Sequence, residues 1–227
     1  MGGSFQIASI AGTAVRIHWT FFLLLAWVGY SDYAASGLSG ALDSIAFVIT
    51  LFACVVAHEF GHITAARRYG IRTPVVTVLP IGGVAALERM PRKPSEEIVV
   101  ALAGPAVNVV IALVLSLFVR DLGTLEQANF LTDSTDFLSA VAQANIFLCL
   151  FNLIPAFPMD GGRVLRAALA SWLGYERGTR IAGALGQILA VGFAFAAWRY
   201  HMPILFLIAL FVFMAAGQES RAAALRR

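Results

Sequence analysis

Long runs of apolar residues, separated by short polar connections, occupy most of this chain. A helix needs about 20 mostly apolar residues to cross the hydrocarbon core of a bilayer, and several runs approach that length. The pattern predicts six membrane-spanning helices. They cover residues 17–35, 44–69, 98–119, 137–155, 181–198 and 203–217.

Residues 73–88 interrupt this helical pattern, because they are rich in β-branched residues and are broken by Pro74, Pro80, Gly82 and Gly83. Such a segment predicts a short hairpin at about residues 75–88. Extended backbone is tolerated at membrane depth only where it is buried in protein or lines a wet cavity, so the hairpin indicates a cavity. An ordinary cytoplasmic loop is the alternative.

These elements predict the fold class: an all-α polytopic membrane protein with about six transmembrane helices and a short membrane-associated β-hairpin. The composition agrees, since 59% of the residues are hydrophobic and only 13% are charged. In soluble domains about a quarter of the residues are charged. No room remains for a sizeable soluble domain, so residues 1–227 are predicted to form one domain. Trp19 favours a retained first span with an interfacial anchor over a cleaved signal peptide.

The net charge of +3 is carried almost wholly by arginines, which cluster in particular connections. A nucleic-acid binder would present a long basic stripe instead, so no nucleic-acid partner is expected. Basic residues follow the second, fourth and sixth predicted spans, whereas acidic residues dominate the first and third connections. By the positive-inside rule, both termini face the cytoplasm. The basic groups are Arg67, Arg68, Arg72, Arg89, Arg92 and Lys93, then Arg163, Arg166, Arg177 and Arg180, then Arg221, Arg226 and Arg227, and the acidic residues are Asp32, Asp43, Asp121, Glu126, Asp133 and Asp136.

A glutamate and two histidines lie deep in the second predicted span, in the sequence His58-Glu59-Phe60-Gly61-His62. An ionisable group at bilayer depth costs at least ~2.5 kcal/mol on insertion scales, and it therefore indicates a functional site. The HExxH spacing puts both imidazoles on one helical face, where they can bind a single zinc ion with Glu59 as general base. A structural role is the alternative, but three polar groups in an apolar span need partners, and a metal ion satisfies them together.

A catalytic zinc site usually has three protein ligands, so a third ligand must come from another segment. Asp160 is the best candidate, because two prolines end the fourth predicted span and Gly161 and Gly162 permit a tight turn. The alternative is that Asp160 caps a helix over residues 163–170. The second and fourth spans both run toward the cytoplasm, which brings the two motifs to the same side. His58 precedes Arg67 by about 14 Å of helix, so the site is predicted inside the bilayer but nearer its cytoplasmic face.

The HExxH sequence and residues 152–162 together resemble the site-2 protease family of intramembrane metalloproteases. The similarity extends over nearly the whole chain and includes residues 103–108 and the predicted hairpin. The resemblance implies a zinc ion bound by His58, His62 and Asp160, with Glu59 as general base. It also implies that Asn108 and Asn152 hold the substrate or polarise its carbonyl, against the alternative of amides that bond between helices.

The resemblance implies a zinc-dependent endopeptidase that cleaves within or next to the transmembrane segments of other membrane proteins, as in regulated intramembrane proteolysis. The expected partners are a transmembrane protein substrate and the lipid bilayer. The rival is a non-catalytic metal-binding membrane protein, such as a zinc transporter or a pseudoprotease that binds clients. The chain departs from many relatives in having no PDZ-like insertion and no CBS pair after Arg227, which predicts a minimal member or a truncated chain.

Overall fold

The computed structural model describes residues 3–80, 82–86, 88, 89, 91, 93–119 and 137–224. The acidic residues Asp121, Glu126, Asp133 and Asp136 of the third predicted connection lie outside the described residues, as do Arg92, Arg226 and Arg227. The elements in chain order are β1 (Ser4–Ile10), β2 (Thr13–His18), α1 (Thr20–Arg68), β3 (Val75–Leu79), β4 (Gly82–Ala86), α2 (Pro94–Ser116), α3 (Phe137–Asn152), α4 (Asp160–Leu173), α5 (Tyr175–Arg199) and α6 (Pro203–Ala224).

The fold is mostly helical, as predicted, but it is not all-α. The four strands form one sheet in the order β1-β2-β3-β4. The predicted hairpin is present as β3 and β4, which pair antiparallel from Val75 with Ala86 to Leu79 with Gly82. The N-terminal hairpin of β1 and β2 was not predicted, because its short pattern of alternating apolar and polar residues leads directly into the first apolar run.

The chain forms two compact units, Met1–Met90 with Ala106–Cys149, and Pro91–Pro105 with Leu150–Arg227. The prediction that residues 1–227 act as one domain stays a prediction. In the first unit, β2 and β3 are parallel neighbours, and the long helix α1 connects them. Parallel strands need such a crossover, because a tight turn cannot return the chain in the same direction.

Helix α1 consists of two arms that fold back on each other at Gly37, which has a positive φ of 71° and non-helical backbone angles. The Phe21 and Phe52 rings meet edge to face at 4.7 Å between centroids. A Cβ atom on Gly29 would lie 2.8 Å from Cδ1 of Ile45, so the arms approach closely there. The predicted break between the first two spans therefore occurs, but it is one glycine and not a polar loop.

Three helices among the described residues are long and apolar enough to cross a membrane: Thr20–Arg68, Pro94–Ser116 and Tyr175–Arg199. Helix α3 (Phe137–Asn152) and the part of α6 from Leu205 to Glu219 are apolar but shorter. The prediction of about six transmembrane helices is therefore not confirmed. The apolar helices are consistent with an integral membrane protein, since large hydrophobic side chains such as Leu113, Ile188 and Phe195 are mostly exposed on their surfaces.

The second unit contains a buried arginine that links three of its helices. Arg166 on α4 is only 1% exposed, and its Nε donates to Oε1 of Glu97 on α2 at 2.7 Å. Its Nη1 lies 3.6 Å from Oε2 of Glu219 on α6. The guanidinium also lies over the rings of Phe157 and Tyr175, at 5.2 and 5.4 Å from their centroids. The cluster holds Phe157, in the loop before α4, against the helices.

Replacing Arg166 with Met is expected to destabilise the protein by about 3–5 kcal/mol, because the substitution leaves the buried Glu97 carboxylate without its cation. The loss is measured as a fall in unfolding free energy of the detergent-solubilised protein.

The matched control is Arg180→Met, which removes an arginine paired with Glu176 at 3.4 Å on the surface. It should cost no more than about 0.5 kcal/mol. Adding Glu97→Gln to Arg166→Met should recover part of the loss. Equal costs for Arg166→Met and Arg180→Met would contradict the buried-pair interpretation.

Candidate metal centre

His58 and His62 lie one turn apart on the second arm of α1, and both are almost fully buried, at 6% and 4% exposure. Their Nε2 atoms are 3.0 Å apart, and the two rings are nearly perpendicular, at 82°. Two imidazole lone pairs that face each other at this distance repel unless a proton or a cation lies between them. The arrangement therefore suits a cation, as the HExxH spacing predicts.

The Nδ1 atom of His58 is engaged on the other side of its ring. It lies 2.5 Å from Oδ1 of Asn108, a residue on α2 that is fully buried. Nδ2 of Asn108 donates to Oδ1 of Asn145 on α3 at 2.8 Å. Nδ2 of Asn145 in turn donates to the backbone carbonyl of Val141, also at 2.8 Å. These bonds form a chain of amides that ends on the outer nitrogen of His58.

Glu59 is half-buried and lies against strand β4. A Cβ atom built on Gly83 would be 2.8 Å from Cγ and 3.2 Å from Oε1 of Glu59, which is closer than van der Waals contact allows. A side chain at position 83 would therefore force either the Glu59 side chain or the strand to shift. The hairpin therefore has a defined position, beside the acid of the HExxH sequence.

Strand β4 is at the end of the sheet order, and within the described residues it pairs only with β3. Its other edge is an edge-strand position, where backbone N–H and C=O groups can accept a further strand. The end of α1 is also tied to the sheet, since Nη2 of Arg67 donates to the Ala11 carbonyl at 2.6 Å. The arm that carries the histidines is thus anchored to the same sheet.

Asp160 is buried and is the first residue of α4. The residue at the N-cap position is Met159, so the alternative that Asp160 caps the helix is wrong. The two following glycines act differently from the prediction of a tight turn. A Cβ on Gly161 would collide with the carbonyl oxygens of Leu153 and Ile154, and a Cβ on Gly162 with the backbone of Ala156 and Phe157. They let the preceding loop pack directly on the first turn of α4.

His58, His62 and Asp160 form a candidate metal-binding triad, in which one ligand-type atom from each residue lies within 4.8 Å of the other two. All three side chains are buried. Two imidazole nitrogens and one carboxylate oxygen are a donor set that suits zinc with an open fourth position. The residues present therefore fit the metal that the sequence predicts.

The remaining predicted residues have distinct surroundings. Both polar atoms of Asn108 take part in the amide chain, a geometry that fits the alternative of an amide bonding between helices. Asn152 is half-buried and is the last residue of α3.

Sequence reasoning missed Asn145 and the Glu97–Arg166 pair. Asn145 lies within the fourth predicted span, where an amide needs a hydrogen-bond partner. That polar position among apolar residues was a usable signal. The pairing of Glu97 with Arg166 carried no local signal, because the two residues are 69 positions apart.

Comparisons with known proteins identify the family of this chain. The model of peptidase family M50 matches residues 46–123 and 122–196. A zinc metalloprotease of Methanocaldococcus jannaschii is 36% identical over 221 residues, and a Synechocystis protein also named as a zinc metalloprotease is 34% identical over 236 residues. Each alignment covers 97% of this chain, and the chain spans 62% and 61% of the relatives' own lengths.

A solved structure is also similar. The site-2 protease from Methanocaldococcus jannaschii superposes with a TM-score of 0.68 at 32% sequence identity, over 96% of this chain and 95% of the other. The family match covers more than half of the chain, and the solved structure extends the likeness to nearly all of it. This chain therefore belongs to peptidase family M50, the site-2 protease family.

Proposed function

We propose that this chain is a zinc-dependent endopeptidase that hydrolyses peptide bonds within or next to the transmembrane segments of membrane proteins. The observation that carries the proposal is the triad of His58, His62 and Asp160, because its donor set suits zinc and is buried beside a half-buried glutamate. The names of the relatives support the metal and the reaction class. The apolar helices support a membrane location for the site.

In this proposal His58, His62 and Asp160 hold the ion, and Glu59 is the general base. Bound zinc would supply a Lewis acid that acidifies a water molecule and polarises the scissile carbonyl. The Glu59 carboxylate would accept the proton of that water and then deliver it to the leaving amine. Asn152 is proposed to contact the substrate, since an amide at an apolar site suits a developing oxyanion.

The substrate is proposed to bind as an extra strand. A helical substrate hides its amides in internal hydrogen bonds, so it must unwind before its carbonyl can be attacked. Strand β4 is suited to receive the unwound segment by β-augmentation, because it is at the end of the sheet and its Gly83 passes beside Glu59. A segment added there would have its backbone next to the proposed base.

We also propose that both termini face the cytoplasm and that the site lies nearer the cytoplasmic side of the bilayer. The support is the arginine content of the connections, including the described Arg67, Arg68 and Arg72 after α1. Regulated proteolysis of membrane-anchored regulators is the process that family membership favours. All of residues 1–227 would then serve one protease domain.

Replacing Glu59 with Gln should lower substrate cleavage by about 10²–10⁴-fold, because the general base is lost while the amide keeps nearly the same shape. Cleavage is measured with a panel of single-span membrane proteins co-reconstituted in liposomes, and zinc content is measured by mass spectrometry. Bound zinc should stay at the level of the unaltered protein, since Glu59 is not among the proposed ligands.

The matched control is Glu176→Gln, a surface substitution that should leave cleavage unchanged. A zinc chelator should abolish cleavage by the unaltered protein, and added zinc should restore it. Undiminished cleavage by the Glu59→Gln variant would reject the proposed mechanism. Zinc binding without any cleavage of the panel by the unaltered protein would favour the non-catalytic rival.

Replacing Gly83 with Ala should lower kcat by about 10–100-fold with little change in bound zinc, because the new methyl group displaces either Glu59 or β4. The control is Gly192→Ala, since a Cβ there would meet nothing within 4 Å. Steady-state kinetics on a cleaved member of the panel would check this. Equal kinetics for the two variants would show that the closeness of β4 to Glu59 has no part in turnover.

A further inference from the structure

Asn108 and Asn145 are both 0% exposed, although each carries a polar amide and lies on a largely apolar helix. A buried amide without partners costs a few kcal/mol, so two of them are retained only where their hydrogen bonds are satisfied. Their bonds run in one line from the Val141 carbonyl to the His58 ring. The line ends on one of the two histidines that face each other.

The direction of every bond in this line is set by its far end. A backbone carbonyl only accepts hydrogen bonds, so the Asn145 group next to Val141 must be the donating Nδ2. Oδ1 of Asn145 then faces Asn108 and must accept, which requires Nδ2 of Asn108 to donate. Oδ1 of Asn108 is left to face His58, and it accepts a proton from Nδ1 of the imidazole.

Reversing either amide brings two acceptors or two donors together. If Asn108 alone were turned, its Oδ1 would face Oδ1 of Asn145. If both amides were turned, Oδ1 of Asn145 would face the Val141 carbonyl. The backbone carbonyl therefore selects one proton arrangement for the whole line, and His58 carries its proton on Nδ1.

We propose that Asn108 and Asn145 are positioning residues that hold His58 in the tautomer with Nδ1 protonated and the Nε2 lone pair directed toward His62. The inference rests on the proposed function, in which that lone pair binds zinc. Metal-binding histidines commonly donate their outer N–H to a fixed acceptor, and this bond sets the tautomer and the ring orientation. Here the acceptor is the Asn108 amide. Its orientation is set by Asn145, which bonds to Asn108 and not, in this line of hydrogen bonds, to His58 itself.

The test is a set of zinc affinities, measured by chelator competition with the full chain in nanodiscs. Asn108→Leu should weaken zinc binding by about 10–100-fold. Asn145→Leu should weaken it by about tenfold, because Asn108 is then free to turn and present Nδ2 to His58. The control is Thr50→Val on helix α1, the helix that also carries His58. The exposed Thr50 hydroxyl bonds the Ala46 carbonyl, and the zinc affinity of this variant should not change.

The double variant Asn108→Asp with Asn145→Leu separates positioning from packing. A carboxylate can only accept from the His58 N–H and needs no orienting partner, so zinc affinity should return to within about threefold of the unaltered protein. If Asn145 merely packs between helices, the double variant should bind zinc as weakly as Asn145→Leu does, or more weakly. That result would overturn the proposal, as would an Asn145→Leu variant with unchanged affinity.

A second readout uses the metal-free protein. The imidazole nitrogen spectrum of ¹⁵N-histidine-labelled chain should show His58 protonated at Nδ1 in the unaltered protein and at Nε2 in Asn145→Leu. His58 protonated at Nε2 in the unaltered protein would overturn the proposal even if the variants fail to fold. Absence of zinc binding by the unaltered protein would instead overturn the proposed function, so the two failures are distinguishable.

Discussion

Two imidazole nitrogens face each other across 3.0 Å, one turn apart on helix α1, and both side chains are buried. Such a pair of facing lone pairs stabilises neither a lipid-facing helix nor a packed core. A proton or a cation placed between the two nitrogens removes the repulsion between their lone pairs. The helix that carries the pair is tied to the sheet at Arg67, and β4 passes beside Glu59.

The glycines of the two motifs show how the fold serves the site. Gly83 lets a strand backbone pass beside the glutamate without displacing its side chain. Gly161 and Gly162 are needed because a loop backbone packs on the first turn of α4. In both places the absent side chain lets the backbone approach closely. The buried Arg166 also contacts this loop, through the ring of Phe157, and is itself bound to Glu97 on α2. The loop that leads into Asp160 is therefore held by packing and by charge.

Much of this arrangement was predictable from local sequence, and the parts that were not depend on distant residues. The HExxH spacing, the apolar helices and the hairpin at β3 and β4 follow from periodicity and composition. The N-terminal strands were missed because they lead directly into the first apolar run, and because β3, the other neighbour of β2, lies about 60 residues later. The hydrogen bond between Asn108 and Asn145 could not be expected from local sequence, because the two residues are 37 positions apart. The role of Asn108 toward a substrate stays a prediction. The acidic third connection lies outside the described residues, so the predicted orientation of the chain stays a prediction.

One zinc ion is proposed to bind to His58, His62 and Asp160. Zinc K-edge X-ray absorption of the reconstituted protein tests it most directly, since the method counts and identifies the ligands. One zinc per chain is expected, with two imidazoles at about 2.0–2.1 Å and oxygen donors completing the shell. Asp160→Ala should lower the zinc content, because the water molecule that replaces the carboxylate is a weaker ligand. A shell with sulfur, a shell with fewer than two imidazoles, or a zinc content unchanged by Asp160→Ala would rule this site out.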